Sequence, residues 1–216
     1  EGTRYYLNAS GAMQTGWKWF DNHYSYFTSS GAMKTGWLKE NDLWYYLDKE
    51  GIMQTGLQEI DDTRYYLNAS GAMQTGWKWL DNHYYYFATS GAMKTGWFKD
   101  KDTWYYLDKE GIMLTGLQEI DGSRYYLNTS GAMETGWKQL NGNWYYFQAD
   151  GSLLRNGTTP DGYKVNQDGI WSLNPVREEE VQNHQEDPKK DSDKPVDKEE
   201  KSADAQETST LKADKE

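Results

Sequence analysis

Hydrophobic positions along this chain come in short bursts separated by polar turn-formers. A representative burst is Trp44-Tyr45-Tyr46-Leu47, followed by Asp48 to Gly51 and then a second short run, Ile52-Met53-Gln54-Thr55-Gly56. Four aromatic or branched residues, a glycine-containing turn and a second run with apolar residues at every other position predict a β-hairpin. Two glycines in every such unit work against a helix. The glycine that ends each turn is expected at positive φ. Strand alternation places Trp44 and Tyr46 on one face and Tyr45 and Leu47 on the other. Trp19, Trp79, Tyr45 and Leu47 are assigned to the core.

The unit recurs. Met13, Met33, Met53, Met73, Met93, Met113 and Met133 stand 20 residues apart throughout, a fixed period that signals a solenoid or array. A hairpin this small cannot stand alone in water, so each must bury a face on its neighbours. The predicted architecture is therefore all-β, a solenoid of stacked hairpins. A second period overlies the first, since residues 1–60 and 61–120 differ at only 11 positions. Within each triplet the residue after Thr-Gly is Trp17, Trp37, Leu57 and then Trp77, Trp97, Leu117. Seven positions later stand Tyr24, Trp44, Arg64 and then Tyr84, Trp104, Arg124. Both aromatics are lost together, which marks them as serving one site. Residues 1–155 read as hairpin repeats. Residues 156–176 read as a degenerate terminal hairpin, the end cap a solenoid needs.

Composition sharpens this picture. Hydrophobic residues make up 36% of the 216 and aromatics 16%, with 11 Trp and 18 Tyr against 5 Phe; a conventional aliphatic core is not to be expected. Cysteine is absent, which excludes disulfide scaffolds, thiol catalysis and Cys-based zinc sites. No run of 18 apolar residues is present, so no transmembrane helix is predicted. The chain opens at Glu1 without an initiator Met or signal peptide and reads as a processed or excised piece. A net charge of −11 argues against nucleic acid as a partner. Residues 177–216 hold 8 Lys and Arg against 14 Asp and Glu and no aromatic residue, the composition of a disordered linker or tail.

The chemistry-bearing residues are aromatic. Electron-rich rings converging between successive hairpins make an open-sided box whose negative faces suit a quaternary ammonium, which neither donates nor accepts a hydrogen bond. A methionine thioether nearby offers soft packing to the ligand's methyl groups. His23 and His83 lie in Asp-Asn-His loops with no second ligand cluster, so no metal site is assigned. Asn8 and Asn68 match a glycosylation sequon but are better explained as turn residues. Acidic residues such as Glu59 and Asp61 recur by repetition alone, and no catalytic residue or cofactor is assigned.

The unit Gly-Trp-Lys-x-x-x-x-x-Trp-Tyr-Tyr-Phe-x-x-x-Gly-x-Met-x-Thr-Gly-Trp resembles the choline-binding repeats of pneumococcal-type surface proteins, autolysins and phage lysins, over about residues 1–176. The resemblance implies a left-handed solenoid with three hairpins per turn. It also implies choline held between consecutive hairpins by two aromatics of one repeat, an aromatic of the next and often the Met. Carried onto this chain, it gives Trp17, Tyr24 and Tyr46 for a first site and Trp37, Trp44 and Tyr66 for a second. Trp77, Tyr84 and Tyr106 make a third; Trp97, Trp104 and Tyr126 a fourth. Trp137 and Trp144 offer a fifth, with Tyr163 as its third wall. For the third wall, Tyr45 in place of Tyr46, and its equivalents, also fits the pattern. Met33, Met53, Met93 and Met113 are the floor residues by position. Leu57/Arg64 and Leu117/Arg124 should hold no ligand, leaving an Arg-bearing flank for contact with another domain.

The function implied is non-covalent attachment of a parent protein to phosphocholine on teichoic and lipoteichoic acids, outside the cell at the bacterial wall. The alternative is a glucan-binding array, since sugar rings also stack on Trp. Sugar sites normally add carboxylate or amide partners, which these cages are expected to lack.

Overall fold

The computed structural model describes residues 2–171; the tail expected at 177–216, and the last residues of the cap, lie outside the described residues. Its backbone is built from seven hairpins with five-residue strands. They pair β1 (Gly16–Phe20) with β2 (His23–Phe27), β3 (Gly36–Glu40) with β4 (Leu43–Leu47), and β5 (Gly56–Ile60) with β6 (Thr63–Leu67). The series continues with β7 (Gly76–Leu80) and β8 (His83–Phe87), β9 (Gly96–Asp100) and β10 (Thr103–Leu107), and β11 (Gly116–Ile120) and β12 (Ser123–Leu127). A two-residue strand β13 (Met133–Glu134) pairs with β12. Next come β14 (Gly136–Leu140) with β15 (Asn143–Phe147) and a short terminal pair, β16 (Gly157–Thr158) with β17 (Lys164–Val165). All pairings are antiparallel, and no helix occurs among the described residues. The expected all-β array of hairpins is what forms.

The hairpins are framed differently from the sequence expectation. The full ladders close around two-residue loops such as Asp21-Asn22, Asp61-Asp62 and Asn141-Gly142, not around the Ser-Gly or Glu-Gly turn. Both loop residues have left-handed φ, 52° and 62° at Asp21 and Asn22, and 50° and 82° at Asn141 and Gly142. Two consecutive left-handed residues match the right-handed twist of the strands they join. The glycine turn instead links each ladder to a single bridge, as between Leu47 and Met53, or, after β12, to the two-residue β13. There the predicted positive φ is found, 82° at Gly51 and 81° at Gly71. Asn68 serves this turn as expected: its side-chain oxygen accepts from the Ser70 and Ala72 amides at 3.0 Å each.

The core is a column. The last residue of each second strand, Phe27, Leu47, Leu67, Phe87, Leu107, Leu127 and Phe147, is fully buried. Leu47 thus holds its predicted place and Tyr45 is half-buried. Trp19 and Trp79 do not: they are 58% and 57% exposed. Each sits one rung from the hairpin tip, opposite Tyr24 or Tyr84. That tip projects beyond the buried column, so the indole covers its cross-strand tyrosine instead of a neighbouring hairpin, at ring distances of 4.7 and 4.6 Å.

Two contacts join successive repeats. From Met33 to Met113 the amide of each bridging Met donates to a carbonyl of the preceding repeat: Met53 to Tyr24 and Met73 to Trp44 at 2.8 Å, Met113 to Tyr84 at 2.9 Å. The thioether then lies over the turn glycine of the following repeat so closely that a Cβ at Gly71 would sit 2.4 Å from Met53 Sδ. Gly76, by contrast, has φ +72° and open space around a Cβ. Gly76→Ala should therefore cost only backbone strain, about 1–2 kcal/mol. Gly71→Ala should add an overpacking cost of about 1–3 kcal/mol, and Met53→Ala should partly rescue it. Denaturant unfolding of the two single variants and the double variant checks the ordering.

Candidate functional site: aromatic cages between hairpins

Across each ladder the first-strand Trp faces the second Tyr of its own hairpin, Trp37 opposite Tyr46 and Trp97 opposite Tyr106. These two tyrosines brace the indoles edge-on, at 5.2 and 5.1 Å. Tyr66 and Tyr126 lie opposite Leu57 and Leu117 and turn toward the buried Phe87 and Phe147, at 6.0 and 6.1 Å. The ring that reaches a Trp from the following hairpin is the preceding tyrosine. Tyr45 meets Trp17 at 5.0 Å, Tyr65 meets Trp37 at 4.8 Å, Tyr105 meets Trp77 at 4.9 Å and Tyr125 meets Trp97 at 4.8 Å. In all four the rings are strongly inclined, between 63° and 68°. The structure thus brings Tyr45 and its equivalents, rather than Tyr46, Tyr66, Tyr106 and Tyr126, against the Trp of the hairpin before. Strand alternation accounts for it: Tyr46 shares the face of its own Trp37, and Tyr45 points back toward the hairpin before.

The second wall stands nearly perpendicular to the first. Trp37 and Trp44 are 6.3 Å apart at 86°, Trp77 and Tyr84 6.4 Å at 88°, Trp97 and Trp104 6.5 Å at 85°. Around Trp77 these walls enclose an open-sided cavity of about 420 Å³, lined by Trp77, Tyr84, Tyr105, Met113, Thr129 and Ser130. Met113, one of the methionines singled out by position, lines this cavity. Met53 takes the same place beside Tyr24, bonded through its backbone. Met33 and Met93 do not, because their amides pair with the carbonyls of Arg4 and Arg64, at junctions without the aromatic pair. Met73, which the sequence reading left out, has its amide on the Trp44 carbonyl and so takes the equivalent place beside that ring. The signal lay in a sequence offset that only the stacking reveals.

The fifth cage is closed by the cap. Trp137 has Tyr163 at 5.9 Å and Trp171 at 6.5 Å, with the latter two 5.8 Å apart at 89°. Trp171 donates its amide to the Trp144 carbonyl at 2.9 Å, the bond the methionine makes elsewhere. The terminal unit therefore has an indole where the other repeats have a thioether, and it brings Tyr163 beside Trp137.

Leu57 and Leu117 leave open junctions, with side chains 40% and 41% exposed. The tyrosine that would complete the first, Tyr85, is 8% exposed, and burial pushes its phenol above the usual value. Arg64 and Arg124 pair across their own ladders with Glu59 at 3.5 Å and Glu119 at 3.6 Å, exposed contacts of small energetic weight.

Carboxylates stand behind two of the indoles, outside the lining of the Trp77 cavity. Trp77 Nε1 donates to Asp100 Oδ2 at 3.0 Å and Trp137 Nε1 to Asp161 Oδ2 at 2.8 Å. Hydrogen bonding from Thr159, then from Trp137, holds the Asp161 carboxyl below its usual value.

A family model described as a choline-binding repeat matches residues 14–55, 34–75, 54–93, 74–114 and 114–157. The chain belongs to the choline-binding repeat family. A second model, described as a putative cell wall binding repeat, matches residues 1–13. Among solved structures, CbpJ from Streptococcus pneumoniae TIGR4 is similar at 42% identity and a TM-score of 0.73, over 78% of this chain and 61% of that one. Choline binding protein F from Streptococcus pneumoniae is similar at 40% identity and a TM-score of 0.71, over the same shares. Another structure of CbpF, in complex with ipratropium, matches at 37% identity and a TM-score of 0.69, over 78% of this chain and 62% of that one. The chain thus spans about three fifths of the length of these structures. No curated protein matches.

In this choline-binding repeat chain the two candidate third walls separate experimentally. Tyr105→Ala should remove one site from the choline stoichiometry measured by calorimetry. Tyr106→Ala, which takes away only the brace behind Trp97, should leave the count unchanged and weaken one site.

Proposed function

We propose that residues 1–171 form a choline-binding module that holds its parent protein non-covalently to phosphocholine on teichoic and lipoteichoic acids, at the outer face of the bacterial wall. The observation that carries this reading is the cage around Trp77. Two mutually perpendicular rings of one hairpin and an inclined ring of the next enclose a cavity floored by a thioether. Of its two hydroxyl linings, Ser130 already donates to Asn128 Oδ1 at 2.7 Å. Such a box gives a cation three π faces and little to satisfy a ligand that needs many hydrogen bonds. The CbpF structure with ipratropium supports the reading, since that compound carries a quaternary nitrogen.

One desolvated cation–π box is worth on the order of 2 kcal/mol, too little to fix a protein to a surface. Five cages spaced along one stack engage a polymer that presents many cholines, and effective concentration multiplies the weak steps. The role is that of a binding module that needs no cofactor. The Asp100 and Asp161 carboxylates are engaged by indole N–H groups, so they do not by themselves supply the acceptors of a sugar site.

Free choline should elute the module from an amine resin, and maltose or dextran should not. Elution by dextran alone would favour the glucan reading and overturn this one. Calorimetry should find about five choline sites per chain by cage count, and millimolar choline should raise the melting temperature because only the folded stack assembles the boxes. Leu57→Trp with Arg64→Trp should add a site beside Tyr85, whereas Arg64→Trp alone should add none; the stoichiometry decides.

A further inference from the structure

The five cages are not backed alike. Asp100 ends β9, the first strand of the hairpin after Trp77, and accepts a hydrogen bond from its indole N–H. At the same repeat position stand Ile60 behind Trp37 and Ile120 behind Trp97, both 5% exposed. Glu40, the equivalent for Trp17, is turned to the Tyr26 hydroxyl at 3.2 Å, and Tyr26 braces Trp17 at 5.3 Å. In the cap, Asp161 reproduces the Asp100 contact on Trp137 from a loop of different sequence. A carboxylate thus reaches the indole N–H in the third and fifth cages, and a buried isoleucine holds the same repeat position in the second and fourth.

This difference bears on the strength of a cation box. An indole whose N–H is drawn toward a carboxylate carries more electron density on its ring, so its face attracts a cation more strongly. The carboxylate also places a formal negative charge behind the wall; the Asp100 bond is half-buried, where salt screens it less than in free solution, and the Asp161 bond is exposed. Both effects act in the same direction and require no contact between carboxylate and ligand. The bond also fixes the indole plane, which reduces the ordering a ligand must impose.

We propose that Asp100 and Asp161 set the affinity of the Trp77 and Trp137 cages for a quaternary ammonium, dividing the array into tighter, carboxylate-backed sites and weaker, aliphatic-backed sites at Trp37 and Trp97. The inference rests on the functional reading above and deepens it. From the second cage onward the two classes alternate along the stack, so each open Leu/Arg junction has a weak cage before it and a tight cage after it. A wall sparse in choline then engages the tight cages first, and the weak cages add contacts only where choline is dense.

The test is a choline titration of the full chain followed through its indole proton–nitrogen resonances, assigned by Trp→Phe variants. Trp77 and Trp137 should reach half-shift at choline concentrations roughly three- to tenfold below those for Trp37 and Trp97. Asp100→Ile should raise the Trp77 midpoint by that factor and move its free N–H resonance upfield, with Trp137 unmoved. Asp100→Asn keeps an acceptor and removes the charge, so its midpoint should fall between the two; it also serves if Asp100→Ile folds poorly. Equal midpoints at all cages, or a Trp77 midpoint indifferent to both substitutions, overturn the inference and leave the functional reading standing. Indole resonances that ignore choline throughout overturn both.

Discussion

Everything in this structure depends on the joint between one hairpin and the next. A five-residue two-stranded ladder has too little apolar surface to offset its own ordering, so none of these hairpins is stable by itself. What each lacks its neighbours provide, through the buried column from Phe27 to Phe147 and the methionine seated on the turn glycine. The glycine is needed twice over, for its left-handed φ and because the thioether occupies the space a Cβ would take. Regular spacing of Met and Gly is thus a packing requirement before it is a chemical one.

The same joint creates the cages. Each ladder turns Trp37, Trp44 and Tyr46, or their equivalents, to one face and Tyr45 to the other, so stacking brings the single tyrosine of one hairpin against the Trp of the hairpin before it. Ridge and gap are both present because the rings meet at steep angles and do not stack flat. The outer wall, Tyr24, Trp44 or their equivalents, stays near half-exposed. A box made this way needs no dedicated loop or inserted domain, and its number scales with the number of hairpins. Where Leu57 and Arg64 replace the two aromatics, the stack continues with Tyr85 buried, and the box alone is lost.

The end of the array follows the same rule with other residues. The cap has no Met, but Trp171 makes the backbone bond that the methionines make and brings its ring beside Trp137 and Tyr163. Asp161 likewise meets Trp137 as Asp100 meets Trp77, though the surrounding sequences are unrelated. Geometry of the joint, rather than the repeat motif, is what the terminal unit preserves.

The sequence alone determined the repeat length, the β class, the positions of Gly51 and its equivalents at positive φ, and which units carry paired aromatics. These are local matters: strand alternation, turn chemistry and a 20-residue period are written in consecutive residues. The choice between Tyr45 and Tyr46 was not, since both fit the pattern and only the direction in which hairpins stack tells which face looks backward. For the same reason Met73 stands with Trp44 and Met93 with Arg64, offsets set by contacts 29 residues apart. Trp19 and Trp79 read as core by composition, yet a position one rung from a projecting tip has nothing above it to bury against. The carboxylates at Asp100 and Asp161 were invisible in the chain because they act on an indole in another hairpin, which the tertiary structure alone brings within reach of their oxygens.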